Sequence, residues 1–265
     1  VPADVLKMSW ADIARKIRTD KPDIVGVTIT TENRFQSFRL IRLARKAHPG
    51  ALTILGGPHA SMAAEDCLEH IPELDLVVRG EGEETMREIC RVWTPGADIG
   101  IFDGVRGVVF RKGGKVTSNP ARPPIADLDA LPFPAYHLIP YEKYNFKLDV
   151  PGRGLLPAAS IMTSRGCPFN CNFCATPINW GRHVRMRSPE NVVREIEHLK
   201  ERYGSEAVFF YDDTFNASPK RADSLCDLII ARGLNVRFMC DVRLDIMNRE
   251  LLEKMNTMGN LMATS

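Results

Sequence analysis

The chain has 265 residues, a length that suggests about two domains and is sufficient for a hydrophobic core. Hydrophobic residues make up 44% and charged residues 26% of the sequence, close to globular averages, which excludes a disordered tail and a single coiled coil. The 35 basic and 33 acidic residues give a net charge of +2, so no bulk field favours DNA or a membrane surface. Without a transmembrane-length apolar run or a signal peptide, the sequence predicts a cytoplasmic protein.

The first part of the chain alternates short β-branched runs with amphipathic helical stretches. This pattern is typical of a doubly wound parallel sheet, whose ligands bind at the carboxyl ends of the strands. We therefore predict a Rossmann-like α/β domain over residues 1–106. The predicted strands are 23–29, 51–55 and 74–78, and the predicted helices are 34–47, 62–69 and 83–92.

A hairpin and a proline-rich stretch follow this domain. Residues 108–118 predict a hairpin that turns at Gly113 and Gly114, and six prolines occur between positions 120 and 140. Such a proline density opposes helices and strands and is typical of a connector. We therefore predict a linker over residues 107–150.

The βα alternation resumes after the linker, with predicted strands at 159–163, 207–211 and 236–240 and a last helix at 249–258. Ser188-Pro189 and Ser218-Pro219 predict two helix starts, and Gly204 and Gly233 the matching ends. Residues 151–265 are therefore predicted to form an incomplete TIM-like barrel, with its third strand an unpaired edge. Because the chain begins with valine and stops after few barrel strands, we expect a piece of a longer protein.

Three of the seven cysteines lie within eight residues, at positions 167, 171 and 174. This spacing suits three thiolate ligands of a cubic iron-sulfur cluster, whose fourth iron would remain open to an outside ligand. A structural zinc site is the alternative; it needs a fourth ligand, for which only His183 lies nearby in the sequence. An odd cysteine count argues against a secreted disulfide framework.

The loop Cys167-Pro168-Phe169-Asn170-Cys171-Asn172-Phe173-Cys174 resembles that of the radical S-adenosylmethionine (SAM) enzymes. Residues 181–190 and 209–215 are also similar to this superfamily, and specifically to its cobalamin-associated branch. The resemblance implies that Cys167, Cys171 and Cys174 ligate a 4Fe-4S cluster. It also implies that SAM binds the open iron.

Further residues are predicted to contact SAM, one from the resemblance and the others from their charge and their place at the strand ends. Phe173 would pack near the adenine, Asp212 or Asp213 would hold the amino group, and Arg243 would hold the carboxylate. The carboxylates and the arginine follow predicted barrel strands, whose ends share one face. A strand-end aspartate that only caps the next helix is the alternative. The nearby arginines, Arg182, Arg185 and Arg187, are expected on a solvated or cofactor-facing loop rather than in an RNA site.

The Gly56-Gly57-Pro58-His59-Ala60 segment follows a predicted strand of the first domain. With residues 27–31 and 79–84, it resembles the cobalamin-binding half of the same branch. The resemblance implies that Thr28 contacts the nucleotide tail of cobalamin and that Gly56 and Gly57 line the slot for that tail. We expect His59 on the loop surface. A protein-interaction role for this domain is the alternative.

By this resemblance, the parent protein would reductively cleave SAM to a 5'-deoxyadenosyl radical and, with cobalamin, methylate or otherwise modify an unactivated carbon. It would require a small-molecule substrate and an external one-electron reductant, and no nucleic acid is expected. Two alternatives remain: a radical SAM enzyme with a vestigial first domain, and a binding module with structural zinc.

Overall fold

The computed structural model describes residues 2–258 and 261–264. It divides into two compact units. The N-terminal unit is Leu6–Ile125, and the C-terminal unit begins at Ala126 and includes the first residues up to Val5. Each unit contains a five-stranded sheet with helices, so the predicted α/β class is confirmed. The boundary falls inside the stretch of residues 107–150 predicted as a linker, which is therefore divided between the units.

The N-terminal unit has a parallel sheet extended by a hairpin. Its helices are α1 Trp10–Asp20, α2 Arg34–Ala47, α3 Pro58–Met62, α4 Ala64–His70 and α5 Gly82–Val92; its strands are β1 Ile24–Thr28, β2 Leu52–Gly56, β3 Leu76–Val78, β4 Val108–Lys112 and β5 Lys115–Ser118. The strand order is β1-β2-β3-β4-β5. Strands β1 to β3 are parallel, and β4 pairs antiparallel with β3. The hairpin belongs to this sheet because Val108, Val109 and Phe110 are fully buried.

Apolar residues cover both faces of this sheet. On one face, Leu55 and Val77 pack with Ile41 of α2 and Leu68 of α4; the other face packs against α5 and the 3-10 turn at Ile99–Phe102. The sheet is therefore doubly wound. The helix predicted at 62–69 is interrupted at Ala63, whose φ of −128° and ψ of 40° leave the helical region.

The C-terminal unit contains the second sheet. Its helices are α6 Tyr141–Tyr144, α7 Thr176–Asn179, α8 Pro189–Tyr203, α9 Pro219–Ala231 and α10 Arg249–Thr257; its strands are β6 Lys147–Val150, β7 Gly154–Ile161, β8 Ser164–Arg165, β9 Arg185–Met186, β10 Ala207–Phe210, β11 Arg237–Asp241 and β12 Leu261–Thr264. The order of the main sheet is β12-β11-β10-β7-β6, while β8 and β9 form a separate pair.

The prediction that the third barrel strand ends as an unpaired edge is wrong. Strand β11 pairs in parallel with β12, and β6 pairs antiparallel with β7 on the other side of the sheet. Together with β10, the strands β7, β11 and β12 form the parallel part of an incomplete barrel. Their carboxyl ends lie at one edge, as the predicted site requires.

Helices α8 and α9 begin where the serine-proline pairs predict. Ser188 accepts a hydrogen bond from the Asn191 amide, and Ser218 accepts one from the Arg221 amide. Helix α8 ends at Gly204, which has a φ of 66°, a conformation that favours glycine. Both helices pack their apolar sides on one face of the sheet, around Phe210 and Phe238. In the described part of the chain, no helix combines the length and apolarity needed to cross a membrane.

Candidate functional site

The cysteine-containing segment lies between β8 and α7, beyond the carboxyl end of β7. All three cysteines are free thiols; Cys167 is buried, whereas Cys171 and Cys174 are half-buried. The Cys167 amide donates a hydrogen bond of 3.3 Å to the Gly181 carbonyl. The Cys174 amide donates one of 3.2 Å to the Cys171 carbonyl. These two bonds hold the Cys167 backbone against Gly181 and place Cys171 and Cys174 in one turn.

Gly166, the residue before Cys167, has no room for a side chain. Strand β8 pairs antiparallel with β9, and Gly166 follows it with a φ of +96°. A Cβ atom at Gly166 would lie 2.5 Å from the His183 carbonyl oxygen, a distance that a side chain cannot adopt. Position 166 therefore requires glycine both for its backbone conformation and for its contact.

The three thiols do not converge on a single point. Among the described residues, no group of three or more His, Cys, Asp or Glu side chains lies close enough together to hold a metal ion. The donor chemistry nonetheless fits an iron-sulfur cluster, because three free thiols on one loop are sufficient when one iron is left open. A closed zinc site would need a fourth donor in addition to these three thiols.

Asp213 and Arg243 both contact the cysteine loop and its flanks. Asp213 accepts a hydrogen bond of 2.8 Å from the hydroxyl of Thr176, two residues after Cys174. Burial raises the pKa of Asp213 above its usual value, and the bond from Thr176 opposes this effect. The Arg243 guanidinium lies 3.7 Å from Cys171 Sγ and 3.9 Å from the Phe169 ring centre. Two residues predicted from separate strand ends thus meet the loop.

Asp212 has different surroundings from Asp213. It is only 3% exposed, and its carboxylate accepts hydrogen bonds from the amides and the hydroxyls of both Thr163 and Ser164. Its oxygens are therefore occupied by the chain itself. Sequence reasoning did not single out Thr163 and Ser164, because their function depends on a contact with a residue about 50 positions away.

Phe173 is 93% exposed, so the protein leaves its ring almost uncovered. A single exposed aromatic side chain is common on protein surfaces and does not by itself mark a binding site. Its predicted packing against adenine stays a prediction. Tyr211, at the end of β10, is also exposed and packs edge-to-face against Phe209.

Of the two surroundings predicted for the arginines, a solvated loop is wrong for Arg185 and Arg187, while a cofactor-facing loop stays a prediction. Arg182 is exposed and donates to the Phe169 carbonyl and to Asn170 Oδ1 of the cysteine loop. Arg185 is buried. Arg187 forms an ion pair with Glu195, a residue that is 1% exposed. Arg182 thus fastens the cysteine loop from the surface, while Arg187 has the partner that a buried charge requires.

The three residues predicted for cobalamin lie together in the N-terminal unit. Thr28 ends β1 in register with Gly56, which ends β2. A Cβ atom at Gly57 would lie 3.1 Å from Thr28 Cγ2 and 2.9 Å from the Ile29 carbonyl oxygen, and the φ of Gly57 is +97°. Gly57 is therefore required by its backbone conformation and by its contacts with Thr28 and Ile29. Gly56 has only ordinary contacts, the nearest at 3.8 Å.

The prediction that His59 lies on the loop surface is wrong. This residue belongs to the short helix α3. It is half-buried. Its Nδ1 lies 3.0 Å from the Thr31 hydroxyl, and its ring lies 6.3 Å from that of Phe38. The histidine is held there because α3 begins directly after β2 and turns its first residues toward the end of β1.

Two family models match the sequence. The B12 binding domain model matches residues 2–90, which include Thr28, Gly56 and Gly57. The Radical SAM superfamily model matches residues 161–265, which include the cysteine loop. The predicted cobalamin-binding and radical SAM domains are thus confirmed, and the zinc-module alternative loses its support.

Curated relatives agree with both matches. An uncharacterized methyltransferase of Pyrococcus horikoshii is 34% identical over 252 residues, which are 95% of this chain and 53% of that protein. An anaerobic magnesium-protoporphyrin IX monomethyl ester cyclase of Rubrivivax gelatinosus is 33% identical over 92% of this chain and 43% of its own length. The chain therefore spans about half the length of the curated relatives it matches.

A solved structure shares the fold. The radical SAM methyltransferase TsrM of Kitasatospora setae matches 99% of this chain and 52% of its own, with a TM-score of 0.77 and 18% identity. The order of the two matched domains, the cysteine loop at the strand ends and this likeness agree. The chain therefore belongs to the radical SAM superfamily of enzymes, in the branch whose members place a B12-binding domain before the radical SAM domain.

Proposed function

We propose that this chain is the cofactor-binding part of a cobalamin-dependent radical SAM enzyme that transfers a methyl group to an unactivated carbon. The observation that supports it best is the meeting of Asp213 and Arg243 with one three-cysteine loop at the strand ends. This arrangement puts the Asp213 carboxylate beside Thr176 and the Arg243 guanidinium, which also pairs with Asp245, beside Cys171. SAM has a cationic amino group and an anionic carboxylate, which require such partners.

In this proposal Cys167, Cys171 and Cys174 hold three irons of a 4Fe-4S cluster, and SAM occupies the remaining iron. Asp213 binds the amino group of SAM, Arg243 binds its carboxylate, and Phe173 covers the adenine. Asp212 is no longer assigned to SAM, because its carboxylate oxygens already accept four hydrogen bonds. When bound, the cluster and SAM supply a radical that abstracts hydrogen, and cobalamin supplies a methyl carrier.

The N-terminal unit contributes the cobalamin site in this proposal. Thr28 hydrogen-bonds the nucleotide tail, and Gly56 and Gly57 allow that tail to approach the backbone closely. The position at the carboxyl ends of β1 and β2 supports this role, because doubly wound sheets bind ligands there. The matched relatives differ in activity, so methyl transfer is the part of the proposal that the substrate must test.

The enzyme further requires an external one-electron reductant and a small-molecule substrate, and we assign it to the cytoplasm, where thiols stay reduced. We expect no nucleic acid partner, because Arg185 and Arg187 are held within the fold.

Anaerobic reconstitution with iron and sulfide, followed by hydroxocobalamin, tests the proposal. We expect about four irons and four sulfides per chain, as a cubic cluster requires, and a bound corrinoid that survives gel filtration. A chain that binds one zinc and no sulfide would contradict the cluster assignment. A chain that forms the cluster without retaining the corrinoid would support the vestigial first domain instead.

A further inference from the structure

The dipeptide Thr163-Ser164 connects β7 to the cysteine loop and is almost completely buried, at 0% and 4% exposure. Buried polar groups of a connection need partners, because each unpaired group lowers stability. Here the partners are three residues from different parts of the unit: Asp212 after β10, Arg221 in α9 and Arg187 after β9. The pattern of these partners gives Asp212 a different function from the one predicted from the sequence.

Asp212 contacts every donor of the dipeptide. Its Oδ1 accepts the Thr163 amide at 2.6 Å and the Ser164 amide at 3.2 Å. Its Oδ2 accepts the Thr163 hydroxyl at 2.5 Å and the Ser164 hydroxyl at 2.8 Å. Since Asp212 follows β10, these bonds tie the end of β10 to the beginning of the cysteine loop.

Arg221 closes the arrangement from the opposite side. The Thr163 carbonyl accepts hydrogen bonds from Arg221 Nη2 at 3.2 Å and from the Arg187 amide at 2.9 Å. Arg221 also donates to the Arg187 carbonyl from Nη2 at 3.3 Å and from Nε at 3.4 Å. Arg221 lies in the first turn of α9. It therefore connects Thr163, which precedes β8, to Arg187, which follows β9.

We propose that Asp212 and Arg221 form a clamp on Thr163-Ser164 that presets Cys167 as the first ligand of the cluster, while Cys171 and Cys174 close onto it. This inference rests on the proposed function of the three cysteines. Cys167 is the buried member of the three, and its Sγ lies 3.5 Å from the hydroxyl of Thr214, two residues after Asp212. Asp212 and Arg221 are thus positioning residues.

Asparagine at position 212 separates this function from direct binding of SAM. Its carbonyl oxygen can accept the two amides, and its NH2 group can donate to the two hydroxyls, because a hydroxyl both donates and accepts. Asp212→Asn therefore preserves the clamp but removes the negative charge that a cationic amino group would need. Asp212→Ala removes both.

The test measures the alkylation rate of each cysteine by mass spectrometry in the metal-free 265-residue chain, with N-ethylmaleimide as the probe. In the original chain we expect Cys167 to react more slowly than Cys171 and Cys174. In Asp212→Ala, Cys167 should react about tenfold faster, because several buried hydrogen bonds are lost. Asp212→Asn should leave the rate within about threefold. Asp223→Ala, which removes a carboxylate paired with Lys254, is the matched control.

Iron and sulfide content after reconstitution gives a second measurement. Asp212→Ala should lose most of the cluster, whereas Asp212→Asn should retain it. If Asp212→Ala does not fold by circular dichroism, Thr163→Val replaces it, since valine keeps the volume and removes one hydroxyl. We expect Thr163→Val to raise the Cys167 rate by a smaller factor.

The outcomes distinguish the two proposals. Unchanged Cys167 reactivity and full iron in Asp212→Ala would overturn the clamp, and so would equal iron loss in Asp212→Ala and Asp212→Asn. If the original chain assembles no cluster, the proposed function fails, while the alkylation rates still decide whether the clamp positions Cys167.

Discussion

Single cysteines of this chain differ sharply in their surroundings. Cys167, Cys171 and Cys174 lie on the loop, whereas Cys226 and Cys240 are completely buried in the apolar core of the C-terminal unit. We predict that alanine at any one of the loop positions abolishes a stoichiometric cluster, because two thiolates do not hold a cube. Iron and sulfide analysis measures this, and Cys226→Ala and Cys240→Ala are the controls. Full iron content in a loop variant would show that the ligand assignment is wrong.

Gly56 and Gly57 allow a test of the cobalamin site by single side chains. Gly56→Val adds bulk in a conformation that accepts it and should weaken corrinoid binding about tenfold, equivalent to about 1.4 kcal/mol. Gly57→Ala is a different experiment, because its φ of +97° and its 2.9 Å contact predict a loss of about 1–3 kcal/mol in folding stability. Equilibrium titration with hydroxocobalamin, beside urea unfolding, separates the two effects. Equal affinity in Gly56→Val would remove Gly56 from the slot.

The residue-level predictions from the sequence succeed where chemistry is local. Three cysteines within one loop can be read from spacing alone, since no distant contact changes their donor type. Asp212 and Asp213 could not be separated in this way, because both follow the same strand. Their functions depend on which of them meets Thr163 and Ser164, residues 49 and 48 positions away in the chain.

Among the elements, α8 is joined to the strand pair β8-β9 by a buried ion pair. Arg187 and Glu195 have side-chain exposures of 11% and 1%, and Glu195 also accepts a 2.6 Å hydrogen bond from Tyr136. Glu195→Ala should lower the unfolding free energy by about 3–5 kcal/mol, because it leaves a buried arginine without its carboxylate. Urea unfolding measures this. Glu197→Ala, from a pair with an arginine that is 52% exposed, should cost less than about 1 kcal/mol.

The packing of α9 on β11 predicts a dependence of stability on alkaline pH. Burial raises the pKa of the Cys226 thiol from 9.0 to about 12, and it raises that of Cys240 as well. The unfolded chain therefore loses these protons first, so stability is complete below pH 9 and falls as the pH rises above it, by up to about 1.4 kcal/mol per pH unit and thiol. Anaerobic urea unfolding between pH 8 and 10.5 should show a smaller slope in Cys226→Ala. An unchanged slope would contradict this account; Cys90→Ala, at an exposed thiol, is the control.

Helices and strands could be predicted where local residues determine them, and not where pairing with distant residues does. Helices α8 and α9 begin at serine-proline pairs, whose capping is a local property. Strand β6 was not predicted, because a segment of four residues becomes a strand only through its pairing with β7. The hairpin of β4 and β5 was predicted, but its attachment to β3 depends on the burial of Val108 to Phe110.

For the molecule as a whole, each compact unit has an apolar core of its own. Leu55, Val77 and Leu68 belong to the N-terminal unit, and Phe210 and Phe238 belong to the C-terminal unit. A ligand stabilises the structure that binds it by an amount set by its concentration and affinity. With the proposed cofactor assignments, cobalamin and the cluster should each stabilise one core.

Hydrogen exchange on the 265-residue chain measures which unit each ligand stabilises. At a free hydroxocobalamin concentration of about 100 times its dissociation constant, stabilisation of about 2.7 kcal/mol should slow exchange in β2 and α2 by about 100-fold, where exchange requires unfolding of that unit. Amides of α8 and β10 should change little. Reconstitution with iron and sulfide should produce the opposite pattern, with protection around β7, β8 and the cysteine loop. Equal protection of both cores by either ligand would mean that the two units unfold as one, and the assignment of one cofactor to each unit would then need the single-residue variants to support it.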